Sequence, residues 1–269
     1  MKRTAFTLIE LLVVITIISM ILAVLLPTLN RVKQSAKTVL CGSNLKQLYL
    51  SLAAYEQENR TLPHGFNDSI NFTSPPAGGY PGDASKDKQG IWWFQTFPDR
   101  NKESFDQKSI AWCPSNSLRN IQLRNNILCG NYGINRSVCK DSEGVAGFVG
   151  SDFVGKPLNL SSINNPAETL LLVDSGYSII SWRGASNMPG PLFDNLLRES
   201  SFYIPGIPAN KDRSLLPEFS EDVLEGRHPN RTVNIIFADG HLARTKADEL
   251  FVEEIGGSFK NRSLLWLPK

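Results

Sequence analysis

Positions 11–29 carry no charge, and most of them are Leu, Ile or Val. The run approaches the ~20 residues that a helix needs to cross a hydrocarbon core about 30 Å thick. Beyond it the pattern changes character. Leu45, Leu48, Leu52 and Tyr55 recur at spacings of three and four, which places them in one stripe of an amphipathic helix. Arg31, Lys33, Lys37 and Lys46 occupy other positions. Pro27 lies inside the pattern, removes one backbone donor and predicts a helix kink or a loosened turn. Gly42-Ser43 weakens the helix without stopping it. The pattern ends at Glu58-Asn59-Arg60, ahead of Thr61-Leu62-Pro63. One helix from Phe6 to about Glu58 would be about 80 Å long at 1.5 Å per residue. It would span a membrane over about 6–29 and run amphipathic over about 30–58.

The remaining chain, 61–269, reads as a separate α+β body outside the membrane. Gly65 to Gly90 is rich in Pro, Gly and Ser and predicts a long loop. Ile91-Trp92-Trp93-Phe94 restarts an apolar segment, and Trp112-Cys113-Pro114 closes a short extended piece. Asn131 to Asn135 predicts a strand or turn. Thr169 to Asp174 is a short apolar run between Pro166 and Ser175-Gly176, a buried strand with Ser178 to Trp182 as its partner. Met188 to Pro217 reads as a long excursion, with a short helix over Phe193 to Leu197. Thr232 to Ala238 is β-rich, and Asp239-Gly240 separates it from His241 to Thr245. Asp-Gly in that setting predicts a hairpin closed by a type I′ turn. Lys246 to Ile255 then predicts a short helix ended by Gly256-Gly257.

Composition narrows the function. With 269 residues, 41% hydrophobic and 20% charged, the chain can bury a core and is neither disordered nor fibrous. The formal charge of +2 comes from 28 basic and 26 acidic residues. That is no basic excess, so a nucleic-acid partner is not expected. A Gly-x-Ser-x-Gly elbow, a P-loop, a His-Glu-x-x-His pair and a dinucleotide fingerprint are all absent from the sequence. No catalytic residue is assigned; Asp174-Ser175 and His228 supply triad residue types, as any chain of this length would.

The membrane-length run has three readings. A secretory signal would use Lys2 and Arg3 as its basic start, but no small-x-small cleavage site follows the run. A plain anchor leaves Glu10 unexplained, because a carboxylate inside a membrane segment costs roughly 2.5–3.5 kcal/mol on insertion scales. The third reading rests on the exact residues. Ala5-Phe6-Thr7-Leu8-Ile9-Glu10-Leu11-Leu12-Val13 resembles the processing signal of type IV pilins and type II secretion pseudopilins. The resemblance implies a leader over 1–5, a cut between Ala5 and Phe6 by a prepilin peptidase, and N-methylation of Phe6 by the same enzyme. The family usually has Gly before the cut; Ala5 is the smallest side-chain replacement, and processing is expected to survive it. Glu10 of one subunit would pair with the new amine of the next, removing two isolated charges and setting the filament register. Lys2 and Arg3 lie on one side of the run, and Arg31, Lys33 and Lys37 on the other, so charge alone does not orient it. The resemblance does, with the N-terminus cytoplasmic and the body periplasmic. Loss of the leader takes two basic residues with it and leaves 26 against 26.

A second resemblance lies further on. Many chains with this start end in a processing-associated domain marked by His, nine residues, then Asp-Gly. Here His228 and Asp239-Gly240 are separated by ten, with room for the extra residue in the turn Pro229-Asn230-Arg231. Cys41-Gly42-Ser43-Asn44-Leu45-Lys46-Gln47-Leu48, Trp112-Cys113-Pro114-Ser115 and Asn131-Tyr132-Gly133-Ile134-Asn135 match the same group.

These readings give a pilin-like α+β fold, a long N-terminal transmembrane helix packed on a body with a small antiparallel sheet and long loops. The expected role is a structural subunit, pseudopilin or minor pilin-like, rather than an enzyme. Its partners would be the prepilin peptidase, other pilin subunits, an inner-membrane assembly platform and the membrane itself. The alternatives are a filament-tip or anchored surface protein binding polysaccharide or peptide, to which Trp92-Trp93 and the long loops lend themselves, and an anchored periplasmic enzyme. No cofactor is expected. His228, Asp239 and His241 could approach across the hairpin as weak metal candidates, with His64 the one other histidine. Glu218, Glu221 and Asp222 are weak calcium candidates, without EF-hand spacing. Cys41, Cys113, Cys129 and Cys139 could form disulfides, Cys129–Cys139 by proximity in sequence and Cys41–Cys113 as a staple from helix to body, or remain buried thiols. The lack of a Cys-x-x-Cys argues against zinc.

Overall fold

The computed structural model describes residues 8–67, 91–96, 109–142, 153–187, 202–212, 219–259, 263 and 265–268. A single helix, α1 (Leu8–Asn59), continues through Pro27. It is long and apolar enough to cross a membrane. From Leu8 to Ala36 every residue of it is exposed. Its hydroxyls fold back on its own carbonyls: Thr16 Oγ1 donates to Val13 O at 2.8 Å and Ser19 Oγ to Ile15 O at 2.7 Å. Such bonds satisfy polar groups where neither water nor a neighbouring segment supplies a partner.

The second half of α1 is buried along one face by Thr38, Cys41, Gly42, Leu45, Leu48 and Leu52. This is the stripe read from the spacing, with Tyr55 only half-buried, extended two turns towards the N-terminus. Each of its three leucines contributes about 1.5–3 kcal/mol by burial. The face lies on a five-stranded sheet of order β5-β3-β4-β6-β7. The strands are β3 (Tyr132–Asn135), β4 (Leu170–Asp174), β5 (Ile179–Ile180), β6 (Thr232–Phe237) and β7 (Leu242–Lys246). A two-stranded ribbon, β1 (Phe66–Asn67) with β2 (Ile91–Trp92), opens and closes the segment read as a loop from Gly65. β4 is buried at every position, which is why it reads as an unbroken apolar run and not an alternation. β7 forms an edge and alternates exposed with half-buried positions.

Several sequence expectations change. The antiparallel ribbon β1–β2 is joined by a larger sheet that is mixed: β5 lies parallel to β3, with Ile134 opposite Ile179. β4 therefore does not pair with the Ser178–Trp182 segment. Both of its edges are already taken, by β3 and β6, and the chain crosses past β3 to the free edge. The hairpin β6–β7 has the expected strands, but its turn is not a two-residue type I′ loop. Gly240 alone has positive φ, at 86°, and Phe237 N donates to His241 O across a four-residue connection. Lys246 to Ile255 forms only one 3-10 turn, Ala247–Leu250. Trp112-Cys113-Pro114 lies in consecutive turns and not at the end of an extended piece: Trp112 N donates to Ser109 O and Asn116 N to Cys113 O. The helix expected over 193–197 lies outside the described residues, as do the leader and Phe6.

Candidate functional site

The sequence phrases that looked scattered converge where α1 crosses the sheet. Cys41 reaches in from the helix and Cys113 from the turns beside it, and their sulfurs lie 2.9 Å apart. Asp174 ends β4, and His228 precedes the turn into β6. One ligand atom from each of these four side chains lies within 4.8 Å of the others, and all four residues are buried. The supporting contacts come from the same phrases. Asn44 Nδ2 donates to Trp112 O at 3.1 Å, and Asn131 Oδ1 accepts from Cys113 N at 2.9 Å. Arg227 Nη1 donates to Asn131 O at 3.0 Å.

The histidine is held at both nitrogens. Nε2 lies 3.0 Å from Asp174 Oδ2, and Nδ1 lies 3.1 Å from Thr38 Oγ1. Because the Thr38 hydroxyl already donates to Gln34 O, it accepts at Nδ1, which assigns a proton to that nitrogen. Asp174 Oδ2 also accepts from the backbone N of Asn234 at 2.7 Å and its side-chain amide at 3.3 Å. Asp174 Oδ1 is buried without a hydrogen-bond partner.

Electrostatics follow from this packing. Burial disfavours a charged imidazole at His228, but the adjoining Asp174 carboxylate outweighs it and pushes the pKa up to about 9. Cys41 moves down to about 5: the Cys113 thiol hydrogen-bonds to its thiolate, burial opposes this, and His228 adds to the lowering. Burial drives Cys113 the other way, up, and the neighbouring Cys41 adds to that.

Other candidate residues fall elsewhere. His228 and Asp239 sit at opposite ends of β6, so the three-residue metal set of His228, Asp239 and His241 is not assembled. Asp239 pairs instead with His241, 2.7 Å away, on the half-exposed hairpin turn. Glu221 pairs with Arg119, and Asp222 is buried against Arg227 at 2.6 Å, so neither faces an open oxygen cage. Glu218 lies outside the described residues. All four cysteines are free thiols. Cys129 and Cys139 lie beyond opposite ends of β3, the first bridging to Tyr177. Trp92 and Trp93 are core residues, 6% and 1% exposed, and offer no surface platform for a ligand. In the turn Pro229-Asn230-Arg231, between His228 and Asp239-Gly240, Asn230 and Arg231 both have positive φ. Thr38 and Asn234 had no signal of their own in the sequence; their positions, one turn before Cys41 and in the middle of β6, become meaningful only once the elements pack.

The fold is α+β, with a long apolar N-terminal helix carrying a globular body. The chain matches the model of the prokaryotic N-terminal methylation motif over residues 1–26. That motif and the long apolar helix together fit a membrane-anchored, type IV pilin-like substrate of a prepilin peptidase. No curated protein and no solved structure matches the chain.

Proposed function

We propose that the protein is a structural subunit, pseudopilin or minor pilin-like, of a type II secretion or type IV pilus-like filament. The observation that carries this reading is the methylation motif joined to a helix whose first half, over residues 8–36, is exposed in the described structure. A bare apolar helix of this length needs lipid before assembly and neighbouring helices after it. The peptidase removes Met1 to Ala5 and methylates Phe6. The chain then sits once across the inner membrane, N-terminus cytoplasmic and body periplasmic, until an assembly platform extracts it. Glu10 neutralises the amine of the adjoining subunit and so fixes the axial step. The protein's work is assembly, and the chemistry belongs to the peptidase.

The test is mass spectrometry of the mature chain from its own host, with a sheared filament fraction beside it. An N-terminal N-methyl-Phe6 and recovery of the chain in the sheared fraction are expected. Glu10→Ala should remain in the membrane and disappear from that fraction. An intact Met1, or filaments indifferent to Glu10→Ala, rejects the reading.

A further inference from the structure

The buried cluster under α1 has more polar groups than a packing contact needs. Two thiols, a carboxylate and an imidazole converge with no water-accessible face. Burying several ionisable groups side by side is costly unless something common to them compensates the charge. We propose that Cys41, Cys113, Asp174 and His228 form a structural zinc site that fastens the membrane-anchored helix to the body. Two sulfurs, one imidazole nitrogen and one carboxylate oxygen form a four-ligand set of the kind that closed, tetrahedral zinc sites use.

Three details support a metal over a simple hydrogen-bonded knot. The first is Asp174 Oδ1, a buried carboxylate oxygen with no partner although Oδ2 has three. The second is the ring of His228. Its Nδ1 proton goes to Thr38, which is how a metal-bound histidine is held through its other nitrogen, and Nε2 lies beside the carboxylate, with Asn234 Nδ2 at 3.2 Å, where it would face the ion. The third is the sulfur pair. At 2.9 Å it is longer than the ~2.05 Å of a disulfide. Zinc–sulfur bonds of about 2.3 Å would open it to about 3.8 Å, within the spread that the four ligand atoms already have. Two thiolates and a carboxylate with a divalent ion leave one negative charge, and the Arg227 guanidinium is held beside the site through Asn131, whose O accepts from Nη1 and whose Oδ1 accepts from Cys113 N. No short ligand spacing announces the site, because its members come from the helix, a turn, a strand end and a pre-strand loop across 188 positions from Cys41 to His228.

The proposal does not depend on filament assembly, and its test is separate. Full-length protein is purified in detergent, without chelators or added reductant, and its metals are counted by elemental analysis. About one zinc per chain is expected. Cys113→Ser and Asp174→Asn should each lose it, while Cys139→Ser, which removes a buried cysteine outside the cluster, should keep it. Because the first two variants can also fail to fold, wild-type protein is stripped and reloaded with Co2+. Tetrahedral thiolate ligation then gives intense visible bands and sulfur-to-metal charge transfer in the near ultraviolet. Three results overturn the proposal: no zinc as isolated and none taken up after reduction; a Cys41–Cys113 disulfide in the isolated chain; or zinc retained equally by every variant, which marks adventitious surface binding.

Discussion

Gly240 shows how much one residue can carry. At φ 86° it occupies backbone space that costs an L-residue roughly 1–2 kcal/mol. Its α-carbon also faces α1 closely: a β-carbon there would stand 2.2 Å from Cε1 of Tyr49. Lys46 Nζ meanwhile donates to Gly240 O at 2.5 Å, and the Tyr49 hydroxyl donates to Ala238 O at 3.4 Å. The turn is thereby clamped to the helix by two side chains on adjacent positions of one face. Gly240→Ala should cost about 2–5 kcal/mol, the backbone penalty plus the 1–3 kcal/mol of forcing the ring aside. Urea unfolding of the variant should show a lower midpoint with an unchanged slope. A variant as stable as the wild type would mean that the turn does not bear on α1. The Asp-Gly pair was legible in the sequence as a hairpin signal. Its second role, a close approach to a helix nearly two hundred positions earlier, was not, because no local pattern encodes a tertiary contact.

Between elements, the decisive contact is α1 on β6, β4 and β7. The helix stripe was readable because 3.6-residue periodicity is a local property, and so were β4 and β6, whose apolar runs are bounded by turn residues. The position of β5 was not readable. Short apolar segments carry no address for their partner, and β5 reached the edge of β3 because β4 had none left. Gly42 has a similar history: in sequence it is a helix-weakening residue, and in the fold it is buried beneath β7. A β-carbon there would come within 3.0 Å of Leu242 Cδ2, the end of a flexible and 45% exposed side chain. That neighbour can move. Gly42→Ala should therefore be neutral or stabilising by up to about 1 kcal/mol, the gain in helix propensity. Gly42→Leu has no room for its branch and should lose about 1–3 kcal/mol by levering the helix from the sheet. Thermal unfolding of the two variants checks the sign. Equal losses for both would show that the backbone of α1 already touches the sheet at this point.

At the level of the whole molecule, α1 serves two environments, and the boundary between them lies at a definite place. Residues 8–36 are exposed without exception, and the first buried side chain is Thr38, one turn before Cys41. Among the described residues, burial of α1 against the body therefore begins after the apolar run ends. Most of this division was visible from hydropathy alone. The part that was hidden is why the body tolerates so long a lever: Thr38 and Cys41 tie the helix to His228 and Cys113 at the point where it leaves the sheet. Two truncations separate these contributions. A chain starting at Arg31 loses, among the described residues, only exposed surface, so it should be soluble without detergent. It should also melt cooperatively and keep its near-ultraviolet circular dichroism. A chain starting at Gly42 removes Thr38 and Cys41 as well. It leaves His228 Nδ1 without its acceptor in a buried site, a loss of roughly 1–3 kcal/mol before the missing packing is counted. It should melt at a clearly lower temperature or fail to fold. If the Arg31 chain instead aggregates or melts broadly, the exposed half of α1 must pack on the body in solution. The division between membrane lever and folded body would then be wrong.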